Sequence, residues 1–368
     1  MGRLSGEPIL CPPGPWMNGV MKAVPKMLVL SAALALWFTS KPVPPLSVFA
    51  SPAKEKRQDG SAAIDAGRRA YEASDYTGAI QALLAAAAND PRNPEIDLLL
   101  AKSYYESQQP DAAITRAEKA VALNPRNSSY HEWLGRAFGQ KAEHVMWFSA
   151  ISLAKKARRE FQTAVELDER NFSAQQALIE FDCSAPGIVG GGEDKARVEI
   201  ARVAELDASE GYYARGVCRR EKKDFAAADA EFTKALDTHP TSAALIYDIG
   251  DYAVRRQQAD RLLAVAEAGK RLAPEDPRGD YYRAVGLILK NQDLAEAERL
   301  LRAYLDHARV RSDYPHLSWV RFWLGRSLEA QGSFGAAREE YEAALKYDPK
   351  DKNAKEALKR LAKLPSSD

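Results

Sequence analysis

The feature that most constrains the fold of this chain is a spacing of 34 residues that recurs along it. Pro91 and Pro125 are 34 residues apart, and so are Pro240 and Pro274. Each proline follows a stretch with small residues at helical spacing, as in residues 113–124. A fixed period of this length indicates stacked helical units, none of which can bury its apolar face alone.

Each period contains two helix-like stretches joined by a short turn. The first stretch carries a small residue after bulky ones, as in residues 133–135 and 323–325, and turns follow at 74–76 and 223–225. Ala, Glu, Arg, Lys and Leu dominate, and all are good helix formers. A proline after the second stretch fits the rule that it cannot continue a helix. The pattern therefore predicts helical hairpins.

This pattern resembles the tetratricopeptide repeat (TPR) family over most of the chain. The resemblance implies an all-α fold, a right-handed α-solenoid of about eight helix-turn-helix repeats. The predicted units are 60–93, 94–127, 128–171, 172–208, 209–242, 243–276, 278–317 and 318–351. The last matches best, and 172–208 and 278–317 match worst. Residues 352–368 are predicted to form a capping helix with a basic outer face, followed by a tail.

An apolar run precedes the repeats at residues 27–38, directly after Lys22 and Lys26. A basic stretch followed by an apolar run of this length is typical of a signal peptide, and the run is short for a membrane span. We therefore predict export, with a periplasmic location. The alternative is an uncleaved segment that anchors the chain to the inner membrane.

The small residues around Ala50 predict a signal peptide over 1–50 and a linker over 51–59. Met21 is a more natural start for such a signal, so residues 1–20 are interpreted as an N-terminal extension.

The charge balance excludes one large class of function. Lys and Arg number 52 against 51 Asp and Glu, a net charge of +1. Segment 1–50 carries four basic residues and one acidic residue, so its removal leaves −2. A nucleic-acid binder shows a basic excess, and we expect no nucleic-acid partner.

The unit beginning at Ser128 is ten residues longer than the period. We predict that each helix of its hairpin is extended by about five residues and projects by about 7 Å. A glycine-rich loop interrupts the next unit at residues 186–192, on the same expected edge. The two sites form a candidate edge patch of Met146, Trp147, Phe148, Ile188 and Val189. Either the aromatic tip packs over the loop, or the patch binds a partner.

No catalytic or metal-binding motif is visible in the sequence. Spacings typical of zinc sites, the P-loop and the serine nucleophile elbow are all missing. We therefore predict no enzymatic activity, no cofactor and no metal. Cys183 and Cys218 fall in adjacent units, where they either remain free thiols or form a disulfide if their Cα atoms come within about 7 Å.

In TPR proteins the first helix of each unit lines a concave groove, and the resemblance transfers that role to equivalent positions here. The candidate groove residues are Arg68, Tyr71, Lys102, Tyr105, Arg136, Tyr213, Arg220, Tyr247, Asp251, Arg255, Phe322 and Arg326. This aromatic and basic set favours a partner segment with acidic groups and apolar anchors, unless the residues are only a generic polar face. Some TPR domains grip a C-terminal carboxylate through Lys and Asn at defined places, which here carry Ile64, Arg68 and Leu98, so that clamp is not reproduced.

Together these features predict a non-catalytic protein-protein interaction scaffold in the cell envelope, which binds a peptide segment or partner protein in its groove. The bacterial setting rests on analogy with exported TPR chains. An alternative is an anchoring or assembly subunit of an envelope enzyme complex, related to the cell wall or to polysaccharide. The sequence identifies neither the partner nor the oligomeric state.

Overall fold

The computed structural model describes residues 55–307 and 309–363, and in these residues it contains seventeen α-helices, one 3₁₀ turn and no strand. The helices are α1 Glu55–Glu72, α2 Tyr76–Asn89, α3 Pro94–Glu106, α4 Pro110–Leu123, α5 Ser128–Glu143, α6 Trp147–Leu167, α7 Phe172–Ser184, α8 Glu193–Leu206, α9 Ala208–Glu221, α10 Phe225–Asp237, α11 Ala243–Arg255, α12 Ala259–Leu272, α13 Pro277–Lys290, α14 Leu294–Asp306, α15 Leu317–Ala330, α16 Phe334–Tyr347 and α17 Lys352–Leu361. The predicted signal peptide, its cleavage site and the start-site extension lie outside the described residues.

Consecutive helices form eight pairs, from α1 with α2 to α15 with α16. Each pair matches an interval expected from the 34-residue period to within one residue at its start, except that α1 begins at Glu55, five residues before its interval. The predicted all-α solenoid of helical repeats is thus confirmed. None of the described helices is long and apolar enough to cross a membrane.

The turns between paired helices repeat one local solution. Ser74 and Gln108 have φ of 61° and 57°, and Lys223, Gln257 and Asn291 have φ of 61°, 53° and 52°. Each places one residue in the left-handed region, which lets the chain leave one helix and start the next within three residues. The second helix then often begins with an acidic cap: the Asp75 and Asp224 side chains accept from backbone N–H groups of the first turn.

Glycines in the first helices allow the second helices to approach closely. A Cβ on Gly216 would lie 2.5 Å from the Phe232 ring, and one on Gly325 would lie 2.6 Å from the Tyr341 ring. Because real Cβ atoms do not come this near, the position must remain glycine for the ring to pack. This packing explains the small residue that recurs in the sequence pattern.

The chain divides into two compact units. Within the described residues, the N-terminal unit comprises 55–126 with Trp133–Ala157, and the C-terminal unit comprises Asn127–Glu132 with 158–363. Leu83, Ile96 and Leu100 are fully buried in the core of the N-terminal unit. The core of the C-terminal unit is richer in aromatic side chains, among them Phe232, Tyr252, Tyr282, Trp323 and Tyr341.

The long hairpin differs from the prediction. Helix α5 has 16 residues and α6 has 21, against 13 or 14 in α2 to α4 and α7 to α16. The prediction of about five extra residues in each helix is therefore wrong, because most of the extension lies in α6. Ala150, Ala154 and Ala157 are all buried, and this continuous stripe of small residues extends α6 back to Trp147.

A disulfide joins Cys183 on α7 to Cys218 on α9, with a Cα–Cα distance of 5.2 Å. That distance is typical of a disulfide, so of the two alternatives the structure adopts the bond. Ile179, Val203 and Ala214 pack around it.

The last helix closes the C-terminal unit. Helix α17 buries Ala354, Ala357 and Leu361 and leaves Lys355 and Lys359 exposed. A polar outer face of this kind is what the end of a helical stack requires.

Candidate partner-binding faces

Three cations follow the first helices of the N-terminal unit at the repeat interval. Arg68 on α1, Lys102 on α3 and Arg136 on α5 are each 34 residues apart. We call these three residues the basic ladder. All three were candidate groove residues, and the repeat geometry places them at equivalent positions of successive hairpins.

Two of the three cations lie over the ring of one aromatic side chain. The half-buried ring of Trp133 has the Lys102 Nζ atom 4.9 Å from its centroid and the Arg136 Cζ atom 5.4 Å away. The Tyr105 ring meets Trp133 edge-on at 5.6 Å. Cations over an aromatic face gain from its negative charge density, so this ring holds two positive groups close together. Trp133 is not among the groove residues predicted from the sequence.

The third member of the ladder is already matched by acidic side chains. Arg68 donates to Asp65 at 3.0 Å and also to Glu95. The hydrogen bond and the charge of Glu95 raise the pKa of Arg68 above its ordinary value. Its charge is therefore already balanced within the protein, and Tyr71 beside it is half-buried.

Four candidate groove aromatics prove to be core residues: Tyr105, Tyr213, Tyr247 and Phe322 are buried. These four rings therefore offer little surface to a partner. The repeat register predicts the side of the helix on which a residue lies, but a long planar side chain there can turn back between the paired helices. The Tyr213 ring packs 5.9 Å from Phe232, and Phe322 packs 5.8 Å from Tyr341.

In the C-terminal unit, the candidate cation Arg220 is neutralised by its neighbours. Arg220 donates to Glu180 and to Glu221, each at 2.9 Å. Burial opposes its charge, but the two carboxylates hold its pKa above the ordinary value. Arg255 is half-buried on α11, and the Arg326 Cζ atom lies 5.9 Å from the Trp323 ring.

Carboxylates and tyrosine hydroxyls dominate the first helices of the same unit. Tyr213 donates to Asp248 Oδ2 at 3.1 Å. The Tyr282 hydroxyl lies 2.8 Å from Asp251 Oδ1 and 3.1 Å from the Tyr247 carbonyl oxygen. We call Tyr213, Asp248, Asp251 and Tyr282 the tyrosine-aspartate face. Of the predicted groove residues in this unit, Tyr213 and Asp251 thus belong to a network of tyrosine hydroxyls and carboxylates.

Protein surroundings shift the ionisation of these carboxyl groups. Asp248 reaches solvent, yet the crowding of protein atoms around it, followed by the charge of Asp251, raises its pKa to about 6. Burial also raises the pKa of Asp251 and of Glu180. The ionised forms of these carboxyl groups are therefore disfavoured here, and a nearby cationic group would stabilise them.

An arginine that the sequence analysis missed fastens the loop after α14. The Arg278 guanidinium lies 4.3 Å from the Tyr247 ring and 4.5 Å from the Tyr314 ring. It also donates to Asp276 and to the Asp313 carbonyl oxygen at 3.1 Å. The extra length of the poorly matching unit 278–317 lies in this loop, and that excess was the only sequence signal.

The edge-patch candidates differ in exposure. Met146 is 78% exposed, Phe148 67% and Trp147 37% in the N-terminal unit, and Ile188 is 75% exposed in the C-terminal unit. Val189 is only 2% exposed, so it cannot contribute to a surface patch. Within the described part of the chain, no group of three or more His, Cys, Asp or Glu side chains could hold a metal ion.

Comparison with known proteins agrees with these repeats. A family profile described as tetratricopeptide repeat matches residues 70–136, and a second with the same description matches 321–362. The chain therefore contains tetratricopeptide repeats, and repeats of this kind generally mediate protein-protein interactions. No curated protein sequence matches it.

Several solved structures are similar to the chain. MamA is 24% identical, with 50% of this chain and 93% of that chain covered and a TM-score of 0.38. A tetratricopeptide repeat protein from Parabacteroides merdae is 13% identical, with 83% and 99% covered and a TM-score of 0.39. The Cut9–Hcn1 hetero-tetramer structure gives 14% identity, 83% and 56% covered and a TM-score of 0.46.

Proposed function

We propose that the protein is a non-catalytic scaffold that holds a partner protein by an acidic segment on its basic ladder. The observation that carries this proposal is the cluster of Lys102 and Arg136 on the half-buried ring of Trp133. A partner carboxylate would accept hydrogen bonds from the guanidinium, which suits bidentate pairing. An apolar side chain next to that carboxylate would cover the indole ring.

The proposed location is the cell envelope, after export. A disulfide between Cys183 and Cys218 supports this, because such bonds persist in oxidising compartments and are rare in the cytosol of most cells. The apolar run at 27–38 supports it independently, as a signal segment.

Site-specific crosslinking in intact cells tests the binding face. The buried Tyr105 and Tyr213 are unsuitable probe sites. We would place a photoreactive residue at the half-buried Leu98 on α3, with a control probe at the exposed Glu118 on α4. A partner should be captured at position 98 and not at 118.

The decisive variant is Lys102→Gln combined with Arg136→Gln, which should abolish capture at position 98. Unchanged capture by that variant, or equal capture at both probe sites, contradicts the proposal. The identity of the captured protein also decides the alternative role: a catalytic subunit of an envelope complex indicates an assembly factor, and a protein without catalytic activity indicates a simple scaffold.

The proposed location has its own test. Thiol labelling in unlysed cells should leave Cys183 and Cys218 unmodified until a reductant is added. Full labelling of both cysteines without reductant would argue for a reducing compartment and against export.

A further inference from the structure

The end of the α5–α6 hairpin exposes three consecutive apolar side chains. Met146 is 78% exposed, Phe148 67% and Trp147 37%, and the two rings lie against each other. We call these three residues the apolar tip. Single exposed apolar residues are ordinary, but a contiguous group marks an interaction surface.

The apolar tip lies at the end of the hairpin that the long helix α6 extends. This helix begins at Trp147 and has 21 residues, seven more than the 14 of a typical helix here. Seven residues correspond to about 10 Å of helix. A rigid protein partner would need a cavity shaped to these three side chains, whereas a bilayer deforms around them.

Basic side chains surround the apolar tip. Lys155 and Lys156 follow it on α6, Lys141 precedes it on α5 and pairs with Asp111, and Glu143 is the single acidic residue between positions 139 and 156. Lys155 is exposed, and the Lys156 Nζ atom lies 5.2 Å from the Phe138 ring. Lys155 is eight residues from Trp147, which is about 12 Å along the helix. A lysine side chain bridges part of that distance by extending toward a charged surface.

These observations favour one occupant. We propose that the apolar tip inserts shallowly into an anionic lipid bilayer, while Lys155 and Lys156 contact the phosphate headgroups. Aromatic and aliphatic side chains backed by lysines are the composition that binds membrane interfaces, and each nearby lysine adds attraction to anionic lipid. This contact lies outside the N-terminal apolar run, to which the sequence analysis confined membrane association.

Local hydrogen exchange on the full-length chain tests the proposal. Exchange would be measured without lipid, with vesicles of phosphatidylcholine, and with vesicles of phosphatidylcholine and phosphatidylglycerol in equal amounts. Total binding would include any contribution from residues 27–38, so the readout is restricted to the amides of residues 144–150. We expect these amides to slow by at least about fivefold with anionic vesicles and to change little with neutral ones.

Two variants and a control complete the test. Phe148→Asp, at an exposed site, should remove the protection, and Lys155→Glu should weaken it by about threefold. Ile188→Asp, at an equally exposed apolar site elsewhere, should leave it unchanged. Equal exchange with and without anionic vesicles overturns the proposal, as does full protection in Phe148→Asp. Protection of the tip by a co-purified protein, with none from lipid, would identify a protein interface and also overturn it.

Discussion

The two units build the same helix pairs but use their first helices differently. In the N-terminal unit, Lys102 and Arg136 lie over the half-buried ring of Trp133, and Arg68 pairs with Asp65 and Glu95. In the C-terminal unit, tyrosine hydroxyls bond to carboxylates, and the aromatic rings belong to the core. The first helices thus carry cations near an aromatic ring in one unit and tyrosine-bonded carboxylates in the other. The comparison can be tested by substitutions whose effects differ between the two.

The largest effect is expected from Tyr282→Ala in the C-terminal unit. The Tyr282 ring stacks on Tyr247 at 5.6 Å, and its hydroxyl lies 2.8 Å from Asp251. Loss of the ring should cost about 3–5 kcal/mol, measured as faster hydrogen exchange in α11 and α13. Trp133→Ala in the N-terminal unit should cost clearly less, because that ring is half-buried. Equal costs would remove the distinction between the two units.

A second substitution at Tyr282 separates the contribution of the hydroxyl to stability from that of the ring. Tyr282→Phe keeps the packing and leaves Asp251 without its donor, so we expect a loss of about 1–2 kcal/mol in unfolding free energy. Urea unfolding followed by exchange in α13 measures it. A loss as large as that of Tyr282→Ala would show that the hydrogen bond dominates and that packing does not.

Reduction of the disulfide should affect one unit alone. The bond spans 35 residues of the C-terminal unit, and the described N-terminal unit contains no cysteine. We expect reductant to lower the stability of α7 to α9 by about 2–4 kcal/mol and to leave exchange in α1 to α4 unchanged. The Cys183→Ala, Cys218→Ala double variant is the control, and its stability should not respond to reductant.

Buried carboxyl groups predict a pH effect in both units. Burial raises the pKa of Glu210 to about 7 in the C-terminal unit and that of Glu143 to about 7 in the N-terminal unit. The folded state then binds more protons than the unfolded state between about pH 4.5 and 7, so this contribution falls as pH rises.

The matched variants Glu210→Gln and Glu143→Gln isolate that contribution. Each should raise the unfolding free energy by about 1–2 kcal/mol at about pH 8, relative to the parent, and change it little at about pH 5. Urea midpoints at both values measure it. A pH-independent difference in either variant would contradict the raised pKa at that site.

The smallest effect on stability should come from the basic ladder. Arg136→Gln removes one cation from the Trp133 ring, which should change the unfolding free energy by less than about 1 kcal/mol. Capture of the partner at position 98 should fall strongly in the same variant. A large loss of stability would mean that the ladder, like the tyrosine-aspartate face, serves packing.

The helix pairs were predictable from the period and the turns, because the residue types and their spacing mark where each repeat begins and ends. The burial of individual side chains was harder to predict from the sequence. Tyr105 and Arg136 both lie on first helices, yet Tyr105 is buried and Arg136 is half-buried. The depth of each side chain depends on which neighbouring ring fills the space beside it. Glu180 and Glu221 lie outside the groove set transferred from the family, so the neutralisation of Arg220 was not visible.

The long hairpin shows a second limit. Its ten extra residues were evident from the length of the unit, but their division between α5 and α6 depended on which helix had a continuous buried stripe. The pairing of Cys183 with Cys218 likewise depended on the distance between α7 and α9, which spacing along the chain does not determine.

The disulfide also changes how the chain would respond to tension. A pull on the two ends passes directly from Cys183 to Cys218, so the residues between them carry no force. That segment contains α8 and most of α9, and its 35-residue separation corresponds to about 120 Å of extended chain. Under tension the chain would therefore lengthen as other helices unfold. The segment between the two cysteines would add to its length only after a reductant breaks the disulfide.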